Sequence, residues 1–210
     1  MKIIHDIQQG SDEWHQLRLA KVTASRFKDV MTNGRGNAPS KTAESYMIEL
    51  AIEAVTGKSL PFFENDAMRH GTETEPQARA MYELISGNEV SEVAFIEHND
   101  FVGVSPDGLI GLNGGLEIKC PSTKTQVERY LYQTGLPDDY KWQVHGCIWV
   151  AEREWWDFVS FDDRIDTAAQ YLCTRVYRDE SLIKELSEKV NIFTDNLQEM
   201  IVKLSKPMEY

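Results

Sequence analysis

The sequence has little cysteine, a shortage of positive charge and no long apolar run, and each shortage removes a class of protein. Its three cysteines, Cys120, Cys147 and Cys173, are widely spaced and odd in number. That argues against a disulfide framework or a zinc site and for buried free thiols. No stretch approaches the roughly 18 apolar residues of a membrane helix, so no membrane partner is expected. Residues 1–14 hold no apolar signal core before their first acids, and a cytoplasmic location is the expectation. His70, His98 and His145 show no metal-ligand spacing. Gly34-Arg35-Gly36 lacks the Lys-Ser/Thr of a phosphate loop, and no Gly-x-Ser-x-Gly elbow occurs.

Lys and Arg number 22 against 34 Asp and Glu, a formal net charge of -12. Taken alone this counts against nucleic-acid binding, because phosphate contacts need Lys and Arg. It leaves room for an enzyme acting on DNA, which needs only a local basic surface together with acids that hold metal ions.

What is present is enough apolar material, 41% of 210 residues, for one substantial core and a single domain over 1–210. Ser11 is placed to cap a short helix and Thr23 a second one through Met31. Residues 33–39 read as a loop. Ser40 opens a longer helix stopped by Gly57. A helix over 66–86 contains Pro76, which predicts a break or fresh start near Glu75. The period then changes, with strands over 90–97, 101–105, 108–111 and 116–120 and a hairpin turn at Asn113-Gly114-Gly115. Helices over 122–133 and 138–150, strands over 155–161 and 171–177, and an amphipathic helix over 180–204 complete the chain. The class is α/β, a central mixed sheet flanked by helices with a long C-terminal helix.

Chemistry concentrates in Ser105-Pro106-Asp107-Gly108 and Leu116-Glu117-Ile118-Lys119-Cys120-Pro121. Alternation along a strand puts Glu117 and Lys119 on one face and Ile118 on the other. Asp107 precedes the partner strand of the same hairpin and can stand beside that pair. Two carboxylates offer hard oxygen ligands for Mg²⁺ or Mn²⁺, and a lysine can orient water or offset developing charge. Taken singly, Glu-x-Lys reads as a solvated strand face and Pro-Asp-Gly as a turn. Their combination across a hairpin favours a metal site, where an ion can polarise a phosphate and lower the pKa of a bound water.

Pro106-Asp107 with Glu117-Ile118-Lys119 resembles the PD-(D/E)xK nuclease superfamily and its restriction-endonuclease-like core. More closely, the chain resembles the phage lambda exonuclease (YqaJ-like viral recombinase) family. The resemblance rests also on Glu13-Trp14-His15-Gln16-Leu17-Arg18, Thr23-Ala24-Ser25, Gly71-Thr72-Glu73-Thr74-Glu75 with Ala78-Arg79, and Gln143-Val144-His145. It implies a 5'→3' exonuclease that degrades one strand of duplex DNA to mononucleotides for single-strand-annealing recombination. Carried over residue by residue, Glu75, Asp107, Glu117 and the Ile118 carbonyl would hold Mg²⁺, with Mn²⁺ possible. Lys119 and Gln143 would complete the catalytic site. Arg18, Ser25 and Ser105 would grip the terminal 5'-phosphate, and Met68 would act as a wedge. An arginine that one family member carries after Cys-Pro aligns with Thr125, and Lys124 is the substitute on offer, though without the planar fork of a guanidinium. Arg35 lies in a loop that would touch duplex DNA. The expected partners are double-stranded DNA ends, a single-strand annealing protein and two further copies in a ring-shaped homotrimer. The expected setting is the bacterial cytoplasm, with the gene carried by a phage or prophage. A PD-(D/E)xK endonuclease or other repair nuclease, and a non-catalytic module binding DNA ends or an annealing protein, are the alternatives.

Overall fold

A computed structural model describes residues 1–34, 39–61, 63–133 and 135–207. Strand β1 (Lys2–Ile4) and helix α1 (Asp12–Arg18) come first. Ser11 caps α1, accepting from Trp14 N at 3.2 Å. Strand β2 (Val22–Thr23), a 3-10 turn (Ala24–Arg26) and helix α2 (Phe27–Met31) follow. Thr23 makes no side-chain cap here; it belongs to β2, where its N–H is held by the Tyr46 hydroxyl at 3.2 Å. Helix α3 (Lys41–Thr56) is capped by Ser40 and ended by Gly57 at φ +66°, a left-handed position where glycine is unstrained.

Helix α4 (Asp66–Ser86) is continuous through Pro76, against the expected break. A proline inside a helix costs about 3 kcal/mol. Burial further along the helix offsets it: Ala78 and Tyr82 are both wholly buried, and the Tyr82 hydroxyl donates to Asp157 at 2.7 Å. Burying large apolar side chains contributes about 1.5–3 kcal/mol each.

Strands β3 (Phe95–Asn99), β4 (Val102–Val104), β5 (Gly108–Ile110) and β6 (Gly114–Lys119) lead to helices α5 (Thr123–Tyr132) and α6 (Lys141–Val150), then β7 (Trp155–Phe161), β8 (Tyr171–Tyr177) and α7 (Glu180–Leu204). The α/β class and the mixed pairing hold, but the sheet comes in two parts. One runs β1-β3-β4-β2 and the other β5-β6-β7-β8. Between β4 and β5 lies Ser105-Pro106-Asp107, where proline offers no N–H to a ladder. An isolated bridge pairs Ser91, ahead of β3, with Leu109 of β5. The expected strand over 90–97 accordingly reduces to that bridge and the start of β3.

The hairpin turn falls at Gly111, Leu112 and Asn113, two residues earlier than expected. Gly114 and Gly115 belong to β6, where a Cβ would lie 2.3 Å from the Trp155 ring and 2.2 Å from the Trp156 ring respectively. These glycines admit indole rings against the strand.

The second sheet is covered on both faces. Leu116 and Ile118 of β6 and Val159 and Phe161 of β7 pack on Ala78 and Tyr82 of α4. Trp156 and Phe158 join the larger core with α2, α3, α6 and α7. The odd-even alternation of β6 therefore sends Glu117 toward α6 while its apolar neighbours face α4. Among the described residues no helix is long and apolar enough to cross a membrane. Cys147 is buried as expected, whereas Cys120 is half-buried and Cys173 exposed.

Candidate active site at the end of strand β6

The hairpin brings its acids together through the backbone. Asp107 sits just before β5, and its Oδ2 accepts from the Ile118 N–H of β6 at 2.6 Å. That bond fixes the carboxylate beside the strand that carries Glu117 and Lys119. Glu117 is 1% exposed, and its Oε1 accepts from both Lys119 Nζ and Gln143 Nε2, each at 2.5 Å. Gln143 comes from α6, the helix Glu117 faces. Glu117 Oε2 is buried and has no hydrogen-bond partner. Glu75 comes from α4, where Arg79 one turn on holds its Oε1 at 2.5 Å.

The electrostatics report crowding of negative charge in a poorly hydrated place. Burial, then the neighbouring Asp107, pushes the Glu75 carboxyl up to about 7. Burial likewise raises Glu117 to about 7 against the pull of Lys119. Asp107 is raised by burial although Lys119 and the Ile118 N–H oppose it. Burial works against the charge on Lys119, but Glu117 and Asp107 outweigh it and raise its pKa, so it stays an ammonium. Three carboxyls face Lys119 and Arg79, the latter shared with Glu92, and one buried oxygen is unpartnered, so the donor set is short of positive charge. A hard dication fits it.

A second feature adjoins this one through Ser105. Arg18 Nη1 donates to Ser105 Oγ at 2.9 Å, and Trp14 Nε1 donates to the same oxygen at 3.0 Å. The Arg18 guanidinium lies 4.3 Å from the Trp14 ring centroid, which fixes its plane. Arg18, Lys21, Ser25, Arg26 and Met68 line one cleft of about 480 Å³. Met68, on the first turn of α4, is 43% exposed there. Lys124 does not line this cleft; it is exposed on α5, 3.7 Å from Glu128. Arg35 lies outside the described residues.

Residues 13–154 match the YqaJ-like viral recombinase domain. The chain belongs to this family. It is similar to the alkaline exonuclease LHK-Exo from Laribacter hongkongensis, with 41% identity over 92% of this chain and 96% of that one, at a TM-score of 0.84. The LHK-Exo structure in complex with dAMP matches with the same figures. A phage-related exonuclease from Haemophilus somnus 129PT shares the fold at a TM-score of 0.67, with 19% identity over 88% of this chain and 96% of that one. Among curated proteins none matches.

Arg79 belongs to the segment that carries the family resemblance, but its role comes from the structure: it bridges Glu75 and Glu92, the latter at 2.9 Å. Its i,i+4 spacing from Glu75 on one helix was the available signal. The Tyr140 ring centroid is 5.4 Å from Lys119 Nζ. Its hydroxyl accepts from buried Arg129, whose other arm donates to Ser160 Oγ at 2.7 Å. Ser160 is the register partner of Lys119 across β6 and β7. This network steadies the lysine from behind, and nothing local in the sequence joins its members.

Proposed function

We propose that the chain is a divalent-metal-dependent deoxyribonuclease that degrades one strand of linear duplex DNA from the 5' end to mononucleotides. The observation that carries this reading is the buried, unpartnered Oε2 of Glu117 beside the carboxyls of Asp107 and Glu75, all three with raised pKa. Glu75, Asp107, Glu117 and the Ile118 carbonyl would hold Mg²⁺ or Mn²⁺; both ions take oxygen ligands. The bound cation would neutralise phosphate charge and acidify an attacking water.

The chain's own residues supply the rest. Lys119, whose charge Glu117 and Asp107 favour, would donate toward developing negative charge or orient the attacking water. Gln143 holds the Glu117 carboxylate in one orientation and leaves the other oxygen free. Arg18, with the Ser25 and Ser105 hydroxyls, presents charge-assisted donors for a terminal 5'-phosphate. Ser105 stands two residues before Asp107, so a phosphate held there would set the next bond at the acids. Met68 on the cleft wall would part the terminal base pair. The dAMP complex of LHK-Exo supports mononucleotide as product, and the YqaJ-like match supports a role in annealing-dependent recombination.

Enclosure of DNA by a homotrimer ring would give processivity with only a basic channel, which suits a chain of net charge -12. A single-strand annealing protein would take up the strand left behind. The gene would belong to a phage or prophage and the protein to the bacterial cytoplasm. Incubation of linear and covalently closed duplex DNA with the protein tests the activity: mononucleotides from the linear form and an intact circle are expected. A nicked circle would establish an endonuclease instead. Light scattering on a size-exclusion column tests the ring, with a trimer mass expected and a monomer mass refuting it.

A further inference from the structure

At the same end of the second sheet, His70 of α4 meets Asp162 and Asp163, the residues that follow β7. One ligand atom from each lies within 4.8 Å of the others. No spacing pattern marks the cluster, because His70 and the two acids come from distant segments. His70 Nε2 is buried, has no hydrogen-bond partner and lies 3.7 Å from Asp163 Oδ1, too far for a hydrogen bond. Its other nitrogen, Nδ1, is 3.2 Å from the Thr74 hydroxyl. A partner on Nδ1 sets the ring and leaves Nε2 facing the acids, the second-shell arrangement of a metal-binding histidine. Asp162 is wholly buried. Its Oδ1 accepts from Arg164 Nε at 2.6 Å, while its Oδ2 has no hydrogen-bond partner. Burial opposes ionisation of Asp162, but hydrogen bonds from Arg164 and the Thr123 side chain outweigh it and hold the pKa below the ordinary value. An imidazole and two carboxylates, Asp162 buried and Asp163 at the rim, thus bring one ligand atom each into a single cluster, and two of these residues carry a buried nitrogen or oxygen without a partner.

We propose that His70, Asp162 and Asp163 form a second cation site, separate from Glu75, Asp107 and Glu117, for a first-row transition dication, Zn²⁺ or Mn²⁺. The imidazole is the reason for that class: Mg²⁺ and Ca²⁺ favour sites made of oxygen alone, while imidazole suits transition ions. A tetrahedral ion with bonds of about 2 Å holds its ligand atoms about 3.3 Å apart, so small side-chain rotations close the observed separations. Asp163 is a third exposed, which leaves a coordination position open to solvent. Two carboxylates and Arg164 leave a net single negative charge, which favours a bound cation. The site ties α4 to the exit of β7 about one and a half helical turns before Glu75. The Cys120 thiol, pushed up to about 12 by burial and then by Glu75, Asp107 and Asp163, feels the carboxylates of both clusters. Binding at this site does not require that the chain cleave DNA.

The test uses the full-length Asp107→Asn/Glu117→Gln protein, in which the first cluster is disabled. Zn²⁺ is titrated by calorimetry and Co²⁺ by visible absorption after metal stripping. The expected result is one equivalent of each ion, a visible Co²⁺ band and a higher melting temperature with Zn²⁺. Adding either His70→Gln or Asp163→Asn weakens binding at least tenfold and removes the melting shift, with unchanged circular dichroism. A disabled protein that binds no Zn²⁺ or Co²⁺, or binding unaltered by both further substitutions, would overturn the proposal.

Discussion

Gln143 Nε2 lies 2.5 Å from Glu117 Oε1, and the other oxygen of that carboxylate is buried without a partner. One glutamine on α6 thus decides how a glutamate on β6 faces Asp107 and Glu75. Gln143→Ala is expected to cut divalent-metal affinity or turnover by about 10–100-fold, the usual effect of losing a group that orients a ligand. Metal titration of the folded variant checks this, and unchanged affinity together with unchanged turnover would remove the assigned role.

Asp107→Ala, Glu117→Ala and Lys119→Ala should each abolish DNA cleavage and leave the circular dichroism spectrum intact. Lys119 is the most telling of the three, because it binds no metal. A Lys119→Ala protein with near-normal turnover would contradict the mechanism given above.

The raised carboxyls make a pH prediction for metal-free protein. Folding raises the pKa of Glu117 from its ordinary 4.5 to about 7. Between those values the unfolded chain gives up the proton that the folded chain keeps, so stability falls as pH rises through the window and levels off above it. Thermal melts in EDTA from pH 4.5 to 8 should show the fall in the wild type, and Glu117→Gln should lack the Glu117 share of it. Divalent metal at pH 8 should restore the loss, because it binds the folded state. Parallel profiles for the two proteins would refute the assignment.

Arg18 meets Ser105 at 2.9 Å and stacks on Trp14. Arg18→Ala should leave hydrolysis in place but erode the preference for 5'-phosphorylated over 5'-hydroxyl ends. Competition between the two substrates measures it, and an undiminished preference would refute the phosphate role.

Much of this architecture was legible because its signals are local. The caps Ser11 and Ser40, the stop at Gly57, the strands β7 and β8 and the helix α7 all follow from short-range pattern. The hairpin carrying Asp107, Glu117 and Lys119 was legible from the alternation of β6. Three features were hidden for a common reason, namely that tertiary contacts decide them. Pro76 failed to break α4 because Ala78 and Tyr82 are buried on the sheet. Gly114 and Gly115 resembled turn residues, yet it is two tryptophan rings that require them. The bridges from Arg79 to Glu92 and from Arg129 to Ser160 join segments that no spacing rule relates.

The central claim is metal-dependent removal of nucleotides from a 5' end. Linear duplex DNA labelled at one 5' end, digested with Mg²⁺, with EDTA and with the Glu117→Ala protein, tests it most directly. The account predicts early release of labelled mononucleotide with Mg²⁺ alone, and none in the other two. Label retained on long fragments, or released equally in EDTA, would contradict it.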